Sequence, residues 1–170
     1  MQLNTSNSKQ EQEQAKQMSI YKCKHFKIQE LVSPQVYQRY GEFAWRFFSN
    51  DLKMDFDTIR EYHGHGITIN DWVFGGKQFT QCGLRSNLDP LVKSKTTLYC
   101  SAHCMGKAVD MHSSYSNYKL YTDIEALKKA GKLRAVNRIE SRKSTKDGWV
   151  HIDEFGSSND NPNELEVFTG

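Results

Sequence analysis

The stretch SAHCMGKAVDMH, residues 101–112, places His103 and Asp110 seven positions apart, with Gly106 between them. Its second half alternates as a strand does, because successive side chains of an extended chain point to opposite faces. Val109 and Met111 share one face, and Ala108, Asp110 and His112 share the other. GWVHID, residues 148–153, repeats the pattern: Val150 and Ile152 lie on one side, Trp149, His151 and Asp153 on the other. Each run has an aliphatic face for a core and a titratable face opposite. Side by side, the two strands bring Asp110 to His151. His103 enters from the loop before the first strand, which Gly106 lets turn back tightly.

Two imidazoles and one carboxylate form a donor set that zinc accepts tetrahedrally. Three protein ligands leave a fourth position for water, the arrangement of catalytic rather than structural zinc. Zinc lowers the pKa of such a water to about 7 and polarises carbonyls. These residues therefore predict one Zn2+ held by His103, Asp110 and His151. A rival set, Cys100, His103 and Cys104 with Cys82, would suit a closed structural zinc, but Cys100 and Cys104 lack a second matching pair.

The 170 residues suit one domain able to bury a core without staples. The net charge of +3 fits solubility, and would also suit an anionic surface such as a cell wall. No basic stripe interleaved with aromatics points to nucleic acid. The four cysteines show no disulfide framework, which predicts free thiols in a reducing compartment. No apolar leader and no run of membrane-spanning length is present, so the expected location is the cytoplasm of the cell that makes the protein.

Along the chain, residues 1–18 form a polar N-terminal tail that cannot offset its own ordering entropy, and they are a candidate for a partner chain to hold. The domain is expected over 19–156, and a polar C-terminal tail over 157–170. Ser33-Pro34 starts a helix whose stripe of Val36, Tyr40, Phe43, Ala44, Phe47 and Phe48 predicts core. A second helix is predicted over Asp55–Tyr62, ended by Gly64, with Phe56, Ile59 and Tyr62 inward. A strand follows over Gly66–Asn70, then a long irregular connection from Asp71 to Thr97, of the kind that forms functional walls. A helix is predicted from Tyr115 to Gly131, with Leu120, Ile124 and Leu127 on one face. Strands over Arg134–Glu140 and Gly148–Ile152 close the domain, joined by a hairpin through Ser141–Asp147. The fold class is α+β: a small antiparallel sheet carrying the zinc site, flanked by helices.

Ser101, His103, Gly106, Ala108 and Asp110 resemble the Ser-x-His-x-x-Gly-x-Ala-x-Asp signature of the zinc D-Ala-D-Ala carboxypeptidases and dipeptidases. That superfamily includes phage endolysin peptidases and the hedgehog signalling domain. GWVHID resembles its closing strand, whose His is the third ligand. Cys82-Gly83-Leu84-Arg85-Ser86 is similar to its Gly-x-Arg-Ser segment. The resemblance covers about residues 25–155 and implies a hedgehog/DD-peptidase-like fold, with His103, Asp110 and His151 as ligands. It further implies that Arg85 steadies an oxyanion or a substrate carboxylate and that Ser101 supports the site from behind.

Many members place a Glu or Asp three residues before the last His as general base; here that position is Gly148. Glu140 and Asp147 are the candidate substitutes, Glu140 favoured, while Asp153 shares the face of His151 as a supporting residue. The implied activity is a zinc peptidase cleaving peptidoglycan stem peptides, phage-encoded and expected in the virion, with no nucleic-acid or membrane partner. The alternative is a virion structural protein, weakly active or inactive, that keeps the fold and the zinc and engages a virion partner through residues 1–18. A small binding module on the same fold is a minor third reading.

Overall fold

The computed structural model describes residues 19–141 and 148–169. The expectations placed on residues 1–18 and on Asp147 lie outside these. The described chain is mixed α+β. Its helices are α1 (Ile28–Leu31), α2 (Pro34–Tyr40), α3 (Asn50–His63), α4 (Pro90–Lys93) and α5 (Asn117–Lys129). Its strands are β1 (Ile67–Thr68), β2 (Ala108–Ser113), β3 (Arg138–Glu140), β4 (Val150–Asp153) and β5 (Glu166–Phe168). Short 3-10 turns occupy Gly41–Phe47, Trp72–Phe74 and Ala102–Met105.

The sheet runs β1-β2-β4-β3-β5. It is antiparallel except at β3–β5, which pair in parallel. The central register sets Val109 against Ile152 and Asp110 against His151. Val109, Met111, Val150, Ile152 and Ile139 are buried on one side, in the same core as Leu52, Phe56 and Ile59 of α3 and Leu120, Ile124 and Leu127 of α5. The opposite face is left for polar side chains, as the alternation requires.

Helix α3 begins five residues earlier than the spacing predicted. Ser49 caps it, its Oγ accepting from the Leu52 N–H at 3.1 Å, and Gly64 ends it in the left-handed region at φ 71°. The longer helix turns Leu52, Phe56, Ile59 and His63 inward, while Tyr62 is 56% exposed rather than part of the inner face. Removing the cap in Ser49→Ala is expected to cost about 1 kcal/mol, roughly 2–4 °C in a chain of this size, read by thermal unfolding.

Other boundaries move for identifiable reasons. The stripe expected from Val36 to Phe48 is broken at Gly41, where φ is 52°, and resumes as a 3-10 turn. Val36, Ala44 and Phe48 are buried, but Tyr40 and Phe43 are exposed. The predicted strand Gly66–Asn70 shortens to β1, although Ile67 and Ile69 both point into the core as expected. Asn70 leaves the ladder because its backbone N–H bonds Glu30 and its side-chain amide bonds the Val32 carbonyl.

Strand β3 starts at Arg138 rather than Arg134. The Asp55 carboxylate of α3 takes the N–H groups of Arg134, Ala135 and Val136 at 2.8–3.0 Å, so that stretch serves the helix and not the sheet. The polar stretch 157–170 is not simply a surface tail: residues 166–168 form β5. Among the described residues no helix is long and apolar enough to cross a membrane.

Candidate metal centre

His103, Asp110 and His151 converge. His103 stands on the 3-10 turn Ala102–Met105, which Ser101 caps by accepting the His103 N–H. Gly106 follows at φ 69°, and its chain runs so close to Phe47 that a Cβ would lie 2.2 Å from the Phe47 carbonyl. Asp110 and His151 face one another across β2 and β4. His151 Nδ1 lies 2.8 Å from Asp110 Oδ1 and 3.1 Å from His103 Nε2, and His103 Nε2 lies 3.3 Å from the same Asp110 oxygen. Among the described residues this group could hold a metal ion. The rival cysteine set is not assembled: Cys82 Sγ lies 3.4 Å from His112 Nε2, and Cys100 is exposed.

The outer contacts orient the rings. His103 Nδ1 donates to the Gly83 carbonyl at 2.9 Å, leaving the Nε2 lone pair inward. His151 Nε2 lies 3.4 Å from Asp153 Oδ2, leaving Nδ1 inward. Gly83 has no alternative residue type here, since a Cβ would sit 2.0 Å from the Leu31 carbonyl oxygen. Two imidazole lone pairs and a carboxylate oxygen thus aim at one point. Such a cluster is repulsive unless a proton or a cation sits among its members.

Protonation follows the same logic. Burial lowers the His103 pKa below the usual imidazole value, and the hydrogen bond to Asp110 opposes that only in part. Burial also acts to lower His151, but hydrogen bonds to Asp110 and Asp153 outweigh it and raise its pKa to about 9. For Asp110, burial pushes upward and is overcome by His103 and His151, which hold the carboxyl below its ordinary range.

Arg85 is not free to swing into solvent. Its guanidinium donates to Asp110 Oδ2 at 2.9 Å, to the Gln81 carbonyl at 2.5 Å and to the Tyr99 hydroxyl at 3.3 Å. Among the described residues these bonds use three of its five N–H groups. A cleft of about 440 Å3 opens beside Asp110, lined by Arg85, Phe79, Gln81, His112 and Trp149 among others. Phe79 stacks on His112 with ring centres 3.6 Å apart.

The candidate bases stand differently. Glu140 is on β3, two residues from Arg138 and so on the same sheet face. The ladder that pairs Arg138 with Asp153 and Ile139 with Ile152 carries it toward His151. Asp153 is fully buried, fixed by both nitrogens of a fork from Arg138 and by the Phe155 N–H, and supports His151 from behind as expected. Gly148 has φ 105° and gives its carbonyl to His112 Nδ1 at 2.7 Å, so backbone geometry explains the absence of an acidic residue there.

Sequence reasoning missed the roles of the Gly83 carbonyl, Arg138 and Phe168. The hairpin register could have found Arg138, which sits opposite Asp153. No local pattern announces the other two.

Asp123, His63 and Ser113 form a chain of 2.7 Å bonds with the connectivity of a hydrolase triad. Ser113 Oγ, however, already accepts the Tyr115 and Ser116 N–H groups, and its proton points to His63. No lone pair is left to attack with, and the trio ties α3, β2 and α5 together.

Comparison with protein-family models, with curated proteins and with solved structures finds no match.

Proposed function

We propose that this chain is a zinc peptidase of the hedgehog/DD-peptidase type, acting on the stem peptides of bacterial peptidoglycan. The observation that carries the reading is the inward aim of His103 Nε2, Asp110 Oδ1 and His151 Nδ1, at mutual distances of 2.8–3.3 Å. Atoms about 2.0–2.1 Å from a tetrahedral zinc lie roughly 3.3 Å apart, so the three atoms need to part by at most about half an ångström to take a zinc ion. The two-nitrogen, one-oxygen donor set fits zinc better than a hard cation such as Mg2+, which prefers an all-oxygen octahedron.

Zinc in this position supplies Lewis acidity toward a carbonyl and a water of lowered pKa. The chain's own residues do the rest. Asp110 and the two histidines fix the metal at the cleft wall. The Arg85 guanidinium faces charge that develops on a substrate carbonyl, or holds a terminal carboxylate. Gln81 and Trp149 bound the groove in which a short peptide would lie. Glu140 is the base we favour, with Asp147 the alternative on the adjoining connection. The location that goes with this reading is the producing cell's cytoplasm, with later residence in a virion and residues 1–18 as the contact to a virion partner.

Purified protein incubated with peptidoglycan is expected to release new amino groups. Chelation should stop the release and added zinc should restore it. No release from a sample that demonstrably holds zinc would overturn the peptidase reading.

One observation favours a second reading, an inert virion scaffold that keeps the zinc. Apart from Asp110 itself, the described lining of the cleft contains no carboxylate. A scaffold predicts stoichiometric zinc and no amino-group release from any stem peptide, in wild type and in Glu140→Gln alike. A peptidase predicts loss of activity in Glu140→Gln with zinc content retained.

A further inference from the structure

We propose that Arg138 and Phe168 are positioning residues for His151, which makes the terminal strand Glu166–Phe168 part of the metal centre. The inference rests on the zinc reading above and goes beyond it, because nothing in the signature at residues 101–110 or in GWVHID involves the last residues of the chain.

His151 can present Nδ1 inward only if its ring is held from the far side. Asp153 does this through Oδ2, and Asp153 is itself a fully buried carboxylate that needs a partner. Arg138 supplies the partner as a two-pronged fork, Nε to Oδ1 at 2.9 Å and one terminal nitrogen to Oδ2 at 2.8 Å. The fork lies between two rings: the guanidinium carbon is 5.2 Å from the centre of Phe155 and 4.6 Å from that of Phe168. Stacking on aromatic faces suits the planar guanidinium and covers most of it, leaving the Arg138 side chain 22% exposed.

Phe168 does a second thing. Its ring meets His151 directly, edge to face at 86°, with centres 5.5 Å apart. One side chain thus walls both the ligand imidazole and the cation that orients it. The strand that delivers Phe168 is fixed by backbone bonds: Glu166 N–H to the Asn137 carbonyl at 2.9 Å and Ser141 N–H to the Phe168 carbonyl at 2.7 Å. Its register sets Glu140 beside Phe168. Val167, between Glu166 and Phe168 on the strand, points the other way and is exposed.

The test compares full-length wild type with Arg138→Met, Arg138→Lys, Phe168→Ala, Phe168→Leu and Val167→Thr. Zinc dissociation constants are read by competition with a chromophoric chelator, the visible absorption of the Co2+-loaded proteins reports ligand geometry, and thermal unfolding of the metal-free proteins reports folding. Arg138→Met and Phe168→Ala are expected to weaken zinc binding by roughly 10–100-fold and to alter the Co2+ bands. Phe168→Leu keeps an apolar wall and should recover most of the affinity. Arg138→Lys cannot form the fork and should recover little, and Val167→Thr should match wild type. If Arg138→Met fails to fold, Arg138→Lys decides in its place; if Phe168→Ala fails to fold, Phe168→Thr, which removes the ring and is expected to weaken zinc binding as Ala would, decides in its place. A merely structural role lowers the unfolding temperature but leaves affinity and the Co2+ spectrum of folded protein unchanged; that result overturns the inference while the zinc reading stands. Wild type that binds no zinc overturns both.

Discussion

Asp110→Asn is expected to abolish stoichiometric metal binding, where wild type should carry about one zinc per chain. The substitution keeps the shape of the side chain and removes its charge. Two histidines and Arg85 all point at that charge, from within 3.3 Å for the histidines and 2.9 Å for the guanidinium. Without it, an Arg85 side chain only 11% exposed loses its ionic partner. Breaking a buried pair from one side costs about 3–5 kcal/mol, so the variant should also melt well below wild type without metal. His151→Ala separates the two effects. It removes a ligand and leaves the Arg85–Asp110 pair intact, so metal should be lost with a smaller change in metal-free stability. Elemental analysis and thermal unfolding of both variants check the prediction. Wild-type metal content in either variant would mean that the ligand set is wrong.

Gly106→Ala is expected to be a strongly damaging single-methyl change beside the metal centre. Two costs coincide there. A side chain at φ 69° is strained by about 1–2 kcal/mol. The added Cβ also meets the Phe47 carbonyl at 2.2 Å, a backbone atom that can yield only by shifting the turn Gly41–Phe47, at a further cost of about 1–3 kcal/mol. Together these predict a loss of roughly 3 kcal/mol, near 10 °C in unfolding temperature. Gly106 itself ends the turn Ala102–Met105 that carries His103, so any share of the relief taken on that side displaces the ligand, and zinc affinity should fall with stability. Gly131→Ala is the matched control. Its φ is 64°, but the nearest atom to a Cβ is the end of the Asn163 side chain at 3.5 Å. It should show the strain alone and leave metal binding unchanged. Equal losses at the two positions would show that the close approach to Phe47 contributes nothing.

Much of the centre was legible locally because strand alternation is a strict rule. Once residues 107–112 and 148–153 are read as strands, Asp110 and His151 must share a face with each other, and Val109, Met111, Val150 and Ile152 must share the core. Helix α5 was equally legible, its buried Leu120, Ile124 and Leu127 falling at helical spacing. The errors lie where a side chain far away in sequence captured the backbone. Asp55 drew Arg134–Val136 out of the sheet, and Asn70 closed β1 early by bonding across to α1. Ser49 extended α3, a signal present in the sequence and overlooked because the apolar periodicity began later.

From the residues alone came the α+β class and the titratable and aliphatic faces of the two central strands, since each depends on spacing within a few positions; the pairing of Asp110 with His151 was an expectation that followed from setting those strands side by side. Only the tertiary structure decided that Arg85 bonds Asp110, that Gly83 orients His103, and that the polar C-terminal stretch returns as a parallel strand to set Phe168 against His151. Those contacts join segments separated by tens of residues, and no local periodicity encodes where such segments meet.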